Sequence, residues 1–169
     1  MTENKKVVII DDEKDLCFLV KANLEETGLY SVLAAYDGSS GKELCLRELP
    51  DLIILDFVMP KERGDKVIEF LKNHPETRAI PIILISGLGE MIYFQKTGRW
   101  QWLPNNYAVQ TRGELPLALK WKKLPADIAK ELGITAFLPK PFSGKDLEEV
   151  VGEVIRVNQK NPEESESSI

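Results

Sequence analysis

Residues 51–60 read DLIILDFVMP. Leu52 to Leu55 form a continuous apolar run with no polar face, the pattern of a strand buried on both sides in a parallel sheet. The run closes at Asp56. Working outward, the same signature recurs on both sides. Lys6 to Ile10 ends in VVII and stops at three acids, Asp11, Asp12 and Glu13. Tyr30 to Ala35 reads as a second strand, Ile80 to Ile85 as a fourth followed by Ser86, and Thr135 to Leu138 as a fifth, two residues before Lys140.

Helical patterns separate these runs. Leu16, Leu19, Val20 and Leu24 recur at helical spacing, and Gly28 ends that segment. Ser39 to Leu49 reads as a second helix. Lys66 to Asn73 reads as a third, with Val67, Phe70 and Leu71 on one face. Pro125 to Leu132 reads as a fourth, stopped by Gly133. Ser143 caps the last helix, with Asp146 three residues on, and Leu147, Val150, Val151, Val154 and Ile155 form its apolar stripe. Strand and helix alternate five times, so the expected class is α/β: a doubly wound parallel sheet with helices on both faces.

The chain has 169 residues and a formal net charge of −5, with 43% hydrophobic and 29% charged residues. This is an ordinary globular balance with a mildly acidic surface, which argues against a uniformly nucleic-acid-binding face. The two cysteines, Cys17 and Cys45, fall in helical patterns without metal-type spacing and are expected as buried thiols. MTENKK lacks the apolar core of a signal peptide, and no apolar run approaches the ~20 residues of a membrane span. The expected location is cytoplasmic.

Ligands of open parallel sheets bind beyond the carboxyl ends of the strands. Asp11, Asp12, Asp56, Ser86 and Lys140 all fall there. Three converging carboxylates repel one another, a strain relieved by raised pKa values or by a bound cation. Hard oxygen donors without nearby cysteine or histidine suit Mg²⁺, which also bridges carboxylates to phosphate oxygens. A carboxylate can itself be the nucleophile and form an acyl phosphate. Lys140 supplies a compact positive charge and Ser86 a hydroxyl donor. As a plain alternative, Asp12 could cap the first helix and Ser86 could merely begin a loop. His74, the only histidine, sits in a loop and is read as a surface residue.

VVIIDDE, DLIILDFVMP with Gly64 eight residues after Asp56, PIILISG and FLPKPF together resemble the receiver domain of two-component response regulators. The resemblance covers about 1–86 and 125–157. It implies a flavodoxin-like five-stranded sheet of order 2-1-3-4-5, and a stand-alone phosphorylation switch rather than an enzyme. It implies Asp56 as phosphoacceptor, Asp12 as direct Mg²⁺ ligand and Asp11 as its partner acid. It further implies the Val58 carbonyl on the metal, Lys140 on the phosphoryl group, and Ser86 and Phe137 as switch residues, although Phe137 could equally be strand packing. Val58 and Leu88 would flank the path of the hydrolytic water. The Lys140–Pro141 bond would be cis. The implied phosphodonor is a histidine kinase or phosphotransfer protein. Output would pass through a partner of unknown identity, since no second domain follows residue 157 in this sequence. Two alternatives are a pseudo-receiver that only binds, and an aspartyl-phosphate phosphohydrolase. The latter usually carries a second Asp two residues after the first, where this chain has Val58.

Two segments stand outside the pattern. Residues 158–169 (NQKNPEESESSI) are expected as a disordered acidic tail beyond a receiver domain of 1–157. Ser86 to Lys140 spans 54 positions (140 − 86), against about twenty in the family, and the excess lies in Gly87–Leu124. That insertion holds all three tryptophans and a net charge of +4 (6 Lys/Arg − 2 Glu). MIYFQ and RWQWL alternate around KTG, the pattern of a β-hairpin, and Tyr107 to Trp121 could form another. The segment is read first as a self-packed subdomain, next as a docking surface for a protein partner, and last as a nucleic-acid contact.

Overall fold

The computed structural model describes residues 3–87 and 133–160, together with the backbone of 92–94, 99–101 and 122–123. In chain order the elements are β1 (Lys5–Ile10), α1 (Lys14–Glu26), β2 (Tyr30–Ala35), α2 (Gly38–Glu48), β3 (Leu52–Asp56), α3 (Gly64–Asn73) and β4 (Ile82–Gly87). Then follow β5 (Ile92–Phe94), β6 (Arg99–Gln101), β7 (Lys122–Lys123), β8 (Ala136–Lys140) and α4 (Gly144–Lys160). The helix expected over Pro125–Leu132 and the second expected hairpin lie outside the described residues.

Five strands pair in parallel in the order β2-β1-β3-β4-β8, the expected 2-1-3-4-5 arrangement. β7 adds a short antiparallel strand on the outer edge of β8, pairing Lys122 with Phe137 and Lys123 with Ala136. β5 and β6 form the expected antiparallel hairpin, with Tyr93 opposite Trp100.

The sheet is buried on both faces because its strands are apolar at every position. Alternate residues serve opposite cores. Val7, Ile9, Leu52, Ile54, Ile83, Ile85 and Leu138 pack with α1 and α4. Val8, Ile10, Ile53, Leu55, Ile82, Leu84 and Phe137 pack with α2 and α3. This two-residue alternation fixes the register, since a slip of one residue would exchange the two cores.

The helices follow the sequence pattern with three differences. In α1 the core positions are Cys17, Val20 and Leu24, and Leu19 faces solvent beside Phe18. In α3, Ile68 joins Val67 and Leu71 in the core while Phe70 lies at the surface, its ring beneath Lys42 and beside His74. The third difference is in α4, which continues through Asn158, Gln159 and Lys160, so the helix overruns the tail boundary read at residue 158. No helix breaker intervenes before Pro162, which explains the overrun. Residues 161–169 lie outside the described ones. The capping box at the start of α4 is as expected: Ser143 Oγ accepts from Asp146 N at 3.1 Å, and Asp146 Oδ2 accepts from Ser143 N at 2.9 Å.

Candidate functional site

The carboxyl ends of β1, β3, β4 and β8 bring the five candidate side chains, Asp11, Asp12, Asp56, Ser86 and Lys140, to one edge of the sheet. β1 runs out at Ile10, and Asp11 follows it, fully buried. Its backbone N–H donates to the Ala35 carbonyl at 3.1 Å, which continues the ladder one step beyond the strand. Asp12 and Glu13 are exposed. Asp56 ends β3 and is 3% exposed. Ser86 lies near the end of β4, buried, in register with Pro139. Lys140 ends β8, and its bond to Pro141 is cis, as expected.

Lys140 knits these groups together. Its Nζ lies 2.9 Å from Asp11 Oδ2, 3.1 Å from Glu13 Oε1 and 3.3 Å from Asp56 Oδ1. Carboxylate oxygens of Asp11, Asp12 and Asp56 all fall within 4.8 Å of one another. Burial raises the Asp11 carboxyl above its ordinary value, outweighing the Glu13 N–H and the Lys140 ammonium that pull it down. Burial also opposes the charge on Lys140, but the Asp11 hydrogen bond and the surrounding carboxylates prevail and raise it. The Lys140 ammonium is thus held in its charged form, and Asp11 is the member whose charge gains from further positive charge nearby. An all-oxygen donor set with an under-compensated buried carboxylate fits a hard divalent cation such as Mg²⁺.

The loop after Asp56 is held down tightly. Phe57 N donates to the Ile85 carbonyl at 3.0 Å, and Phe57 and Met59 are buried on either side of the half-exposed Val58. Gly64 N returns to the Phe57 carbonyl at 2.8 Å. A Cβ at Gly64 would sit 2.7 Å from the Asp56 carbonyl oxygen and 2.8 Å from Phe57 Cα, so only glycine lets α3 begin this close to the end of β3. The sequence showed Gly64 as part of a motif. The backbone contact supplies its reason.

Each candidate residue can be placed. Asp11, Asp12, Asp56 and Lys140 come together. Ser86 sits at the same edge, one strand from Asp56. Asp12 does not cap α1: Glu13 occupies the N-cap position, and Asp11 Oδ1 accepts from Glu13 N at 2.8 Å. Phe137 is buried among Val67, Ile68 and Leu84 in the core beneath α3. Glu13 is the residue that sequence reasoning left without a role, and the only signal was a third acid in the run 11–13. Cys17 and Cys45 are buried free thiols, and burial pushes both up to about 12. Among the described residues no helix is long and apolar enough to cross a membrane.

Comparisons with known proteins agree with this fold. Residues 7–99 match the family model described as the response regulator receiver domain. The chain is 38% identical over 86 residues to the DNA-binding dual master transcriptional regulator RpaA of Synechocystis, covering 51% of this chain and 35% of that protein. It is 36% identical over 87 residues to the alkaline phosphatase synthesis transcriptional regulatory protein PhoP of Bacillus subtilis, covering 52% and 35%. It thus spans about a third of the length of these curated relatives. In structure it resembles a CheY-like receiver domain protein from Methanospirillum hungatei, with a TM-score of 0.65 at 20% identity, covering 94% of this chain and 99% of that one. A receiver domain protein from Clostridium thermocellum gives 0.64 at 22%, covering 92% and 98%. At these identities the structural likeness speaks to the fold alone. The matched family model spans more than half of the chain, including Asp11, Asp12, Asp56 and Ser86 at the strand ends: the chain belongs to the response regulator receiver domain family.

Proposed function

We propose that the chain is a phosphorylation switch that accepts a phosphoryl group on Asp56 with Mg²⁺ and signals through a partner protein. The observation that carries this reading is the approach of Lys140 Nζ to Asp56 Oδ1, at 3.3 Å, inside the cluster formed with Asp11 and Asp12.

The chemistry follows from these groups. An Asp56 carboxylate oxygen attacks the phosphorus of the donor, the P–O or P–N bond of the donor breaks, and its electron pair leaves with the donor group. The product is an aspartyl phosphate. Such transfers depend on positioning and charge neutralisation more than on covalent help. Lys140 takes up part of the new negative charge, and the Ser86 hydroxyl donates to a phosphoryl oxygen. Asp11, Asp12, Asp56 and the Val58 carbonyl would hold the Mg²⁺, which supplies neutralisation between carboxylates and phosphate. Phe137 shares β8 with Lys140, so a shift of that strand reaches both. The donor would be a phosphohistidine of a histidine kinase or phosphotransfer protein. The insertion, with its charge of +4 (6 − 2), suits an acidic docking partner. A phosphohydrolase reading lacks support, because apolar Val58 stands where a second Asp would act as general acid.

Beryllofluoride, a stable mimic of the phosphoryl group, tests this. Fluorine NMR should show a bound signal that requires both Mg²⁺ and Asp56 and is lost in Asp56→Asn. A wild type with no bound signal would favour a pseudo-receiver.

A further inference from the structure

The Lys140 ammonium donates to two carboxylates, Asp11 at 2.9 Å and Glu13 at 3.1 Å, and forms an ion pair with a third, Asp56, at 3.3 Å. Asp11 and Asp56 are buried within the site. Glu13 stands at the mouth with 64% of its side chain exposed. We propose that Glu13 is a positioning residue for Asp56 phosphorylation, its carboxylate holding the Lys140 ammonium at the mouth of the site, toward the incoming phosphoryl group. This inference rests on reading Asp56 as the phosphoacceptor.

The physical argument starts from the direction of the forces. Attraction between charges strengthens as the surroundings become less polar. Left to Asp11 and Asp56 alone, the ammonium would settle inward against the oxygens of Asp56, where it would occupy the nucleophile's lone pairs. Glu13 pulls from the solvent side. Its backbone is fixed for this task. It occupies the N-cap position of α1, and its N–H donates to Asp11 Oδ1 at 2.8 Å, so the origin of the side chain is anchored to the site. N-cap residues usually spend their side chains on the helix's own amides. Glu13 makes no such cap bond, and its carboxylate reaches instead to Lys140, 127 residues away in the chain. One residue thereby sets both the buried acid, through its amide, and the mobile cation, through its carboxylate.

The test compares wild type, Glu13→Gln, Lys140→Ala and the double variant in full-length protein. Intact mass spectrometry follows phosphorylation by acetyl phosphate with saturating Mg²⁺. Glu13→Gln should slow phosphorylation by up to about fivefold, the range of an exposed ion pair. In the Lys140→Ala background the same change should have no further effect, since the cation it positions is gone. With lysine-selective carbon labelling, the Lys140 side-chain signal should move in Glu13→Gln while the thermal midpoint stays at the wild-type value. A wild-type rate in Glu13→Gln, a slowing that persists in Lys140→Ala, or an unmoved Lys140 signal would each overturn the role of Glu13 while leaving Asp56 as phosphoacceptor. A wild type that takes no phosphoryl group would instead overturn the reading of Asp56, and the role of Glu13 with it.

Discussion

At the scale of single residues, the site is built by making Asp11 uncomfortable. Burial raises its carboxyl, and the sign of the consequence is definite. A carboxyl raised in the folded state favours folding fully below its ordinary value of 3.8 and loses that contribution as pH rises through the folded value. The ionised form at neutral pH thus carries a penalty, at about 1.4 kcal/mol per unit of displacement. Asp11→Asn keeps the shape and removes the charge. It should melt above wild type at neutral pH without metal, and the gap should narrow as pH falls through the raised value of the Asp11 carboxyl, where both side chains become neutral. Thermal melts across that range check this. A variant less stable than wild type at neutral pH would mean that the ion pair with Lys140 outweighs the burial. Val58 invites a second substitution. Its exposed apolar side chain offers no hydrogen bond to orient a water at Asp56. Val58→Asn should shorten the lifetime of the aspartyl phosphate about tenfold, the value of one net hydrogen bond of about 1.4 kcal/mol. Decay followed by intact mass decides it, and an unchanged lifetime would remove Val58 from the water's path.

At the scale of elements, the strands were legible and the helix faces less so. A parallel strand buried on both sides is apolar at every position, so VVII, LIIL and IILI announce themselves, and the residues that end them were visible as chemistry. A helix shows only one face, and its composition decides between similar stripes. Leu16, Leu19, Val20 and Leu24 fit helical spacing, yet the core took Cys17 with Val20 and Leu24 and left Leu19 outside. The small thiol fits closely under the sheet, its Sγ donating to the Asp11 carbonyl at 3.4 Å. Gly64 shows the other limit. Its need is set by the Asp56 and Phe57 backbone passing within 3 Å of an added Cβ, a contact no local pattern records. β7 was likewise invisible, since two lysines carry no strand signal until β8 offers an edge to pair with. The insertion can be tested as an element. Replacing 88–124 by a short Gly/Ser linker removes β5, β6 and β7 but none of the five parallel strands. The shortened chain should keep its circular dichroism and a cooperative melt. A chain that fails to fold would make the segment part of the core.

At the scale of the whole molecule, charge is divided. The insertion carries +4 and the remainder −9 (−5 − 4), so one polypeptide presents an acidic receiver and a basic, tryptophan-rich segment that begins at Gly87, the last residue of β4. Between them lies β8, paired through Gly87 with one end of the insertion and through β7 with the other, and bearing Lys140 at its tip. Any charge added to Asp56 therefore acts first on Lys140, then on the strand to which both ends of the insertion are tied. All of this presupposes that Asp56 is the residue modified. Intact mass spectrometry with residue-level fragmentation, after incubation with acetyl phosphate, tests that most directly. The account predicts one added phosphoryl group, located on Asp56, dependent on Mg²⁺ and absent from Asp56→Asn. A chain left unmodified in Mg²⁺, or modified equally well in Asp56→Asn, would contradict it.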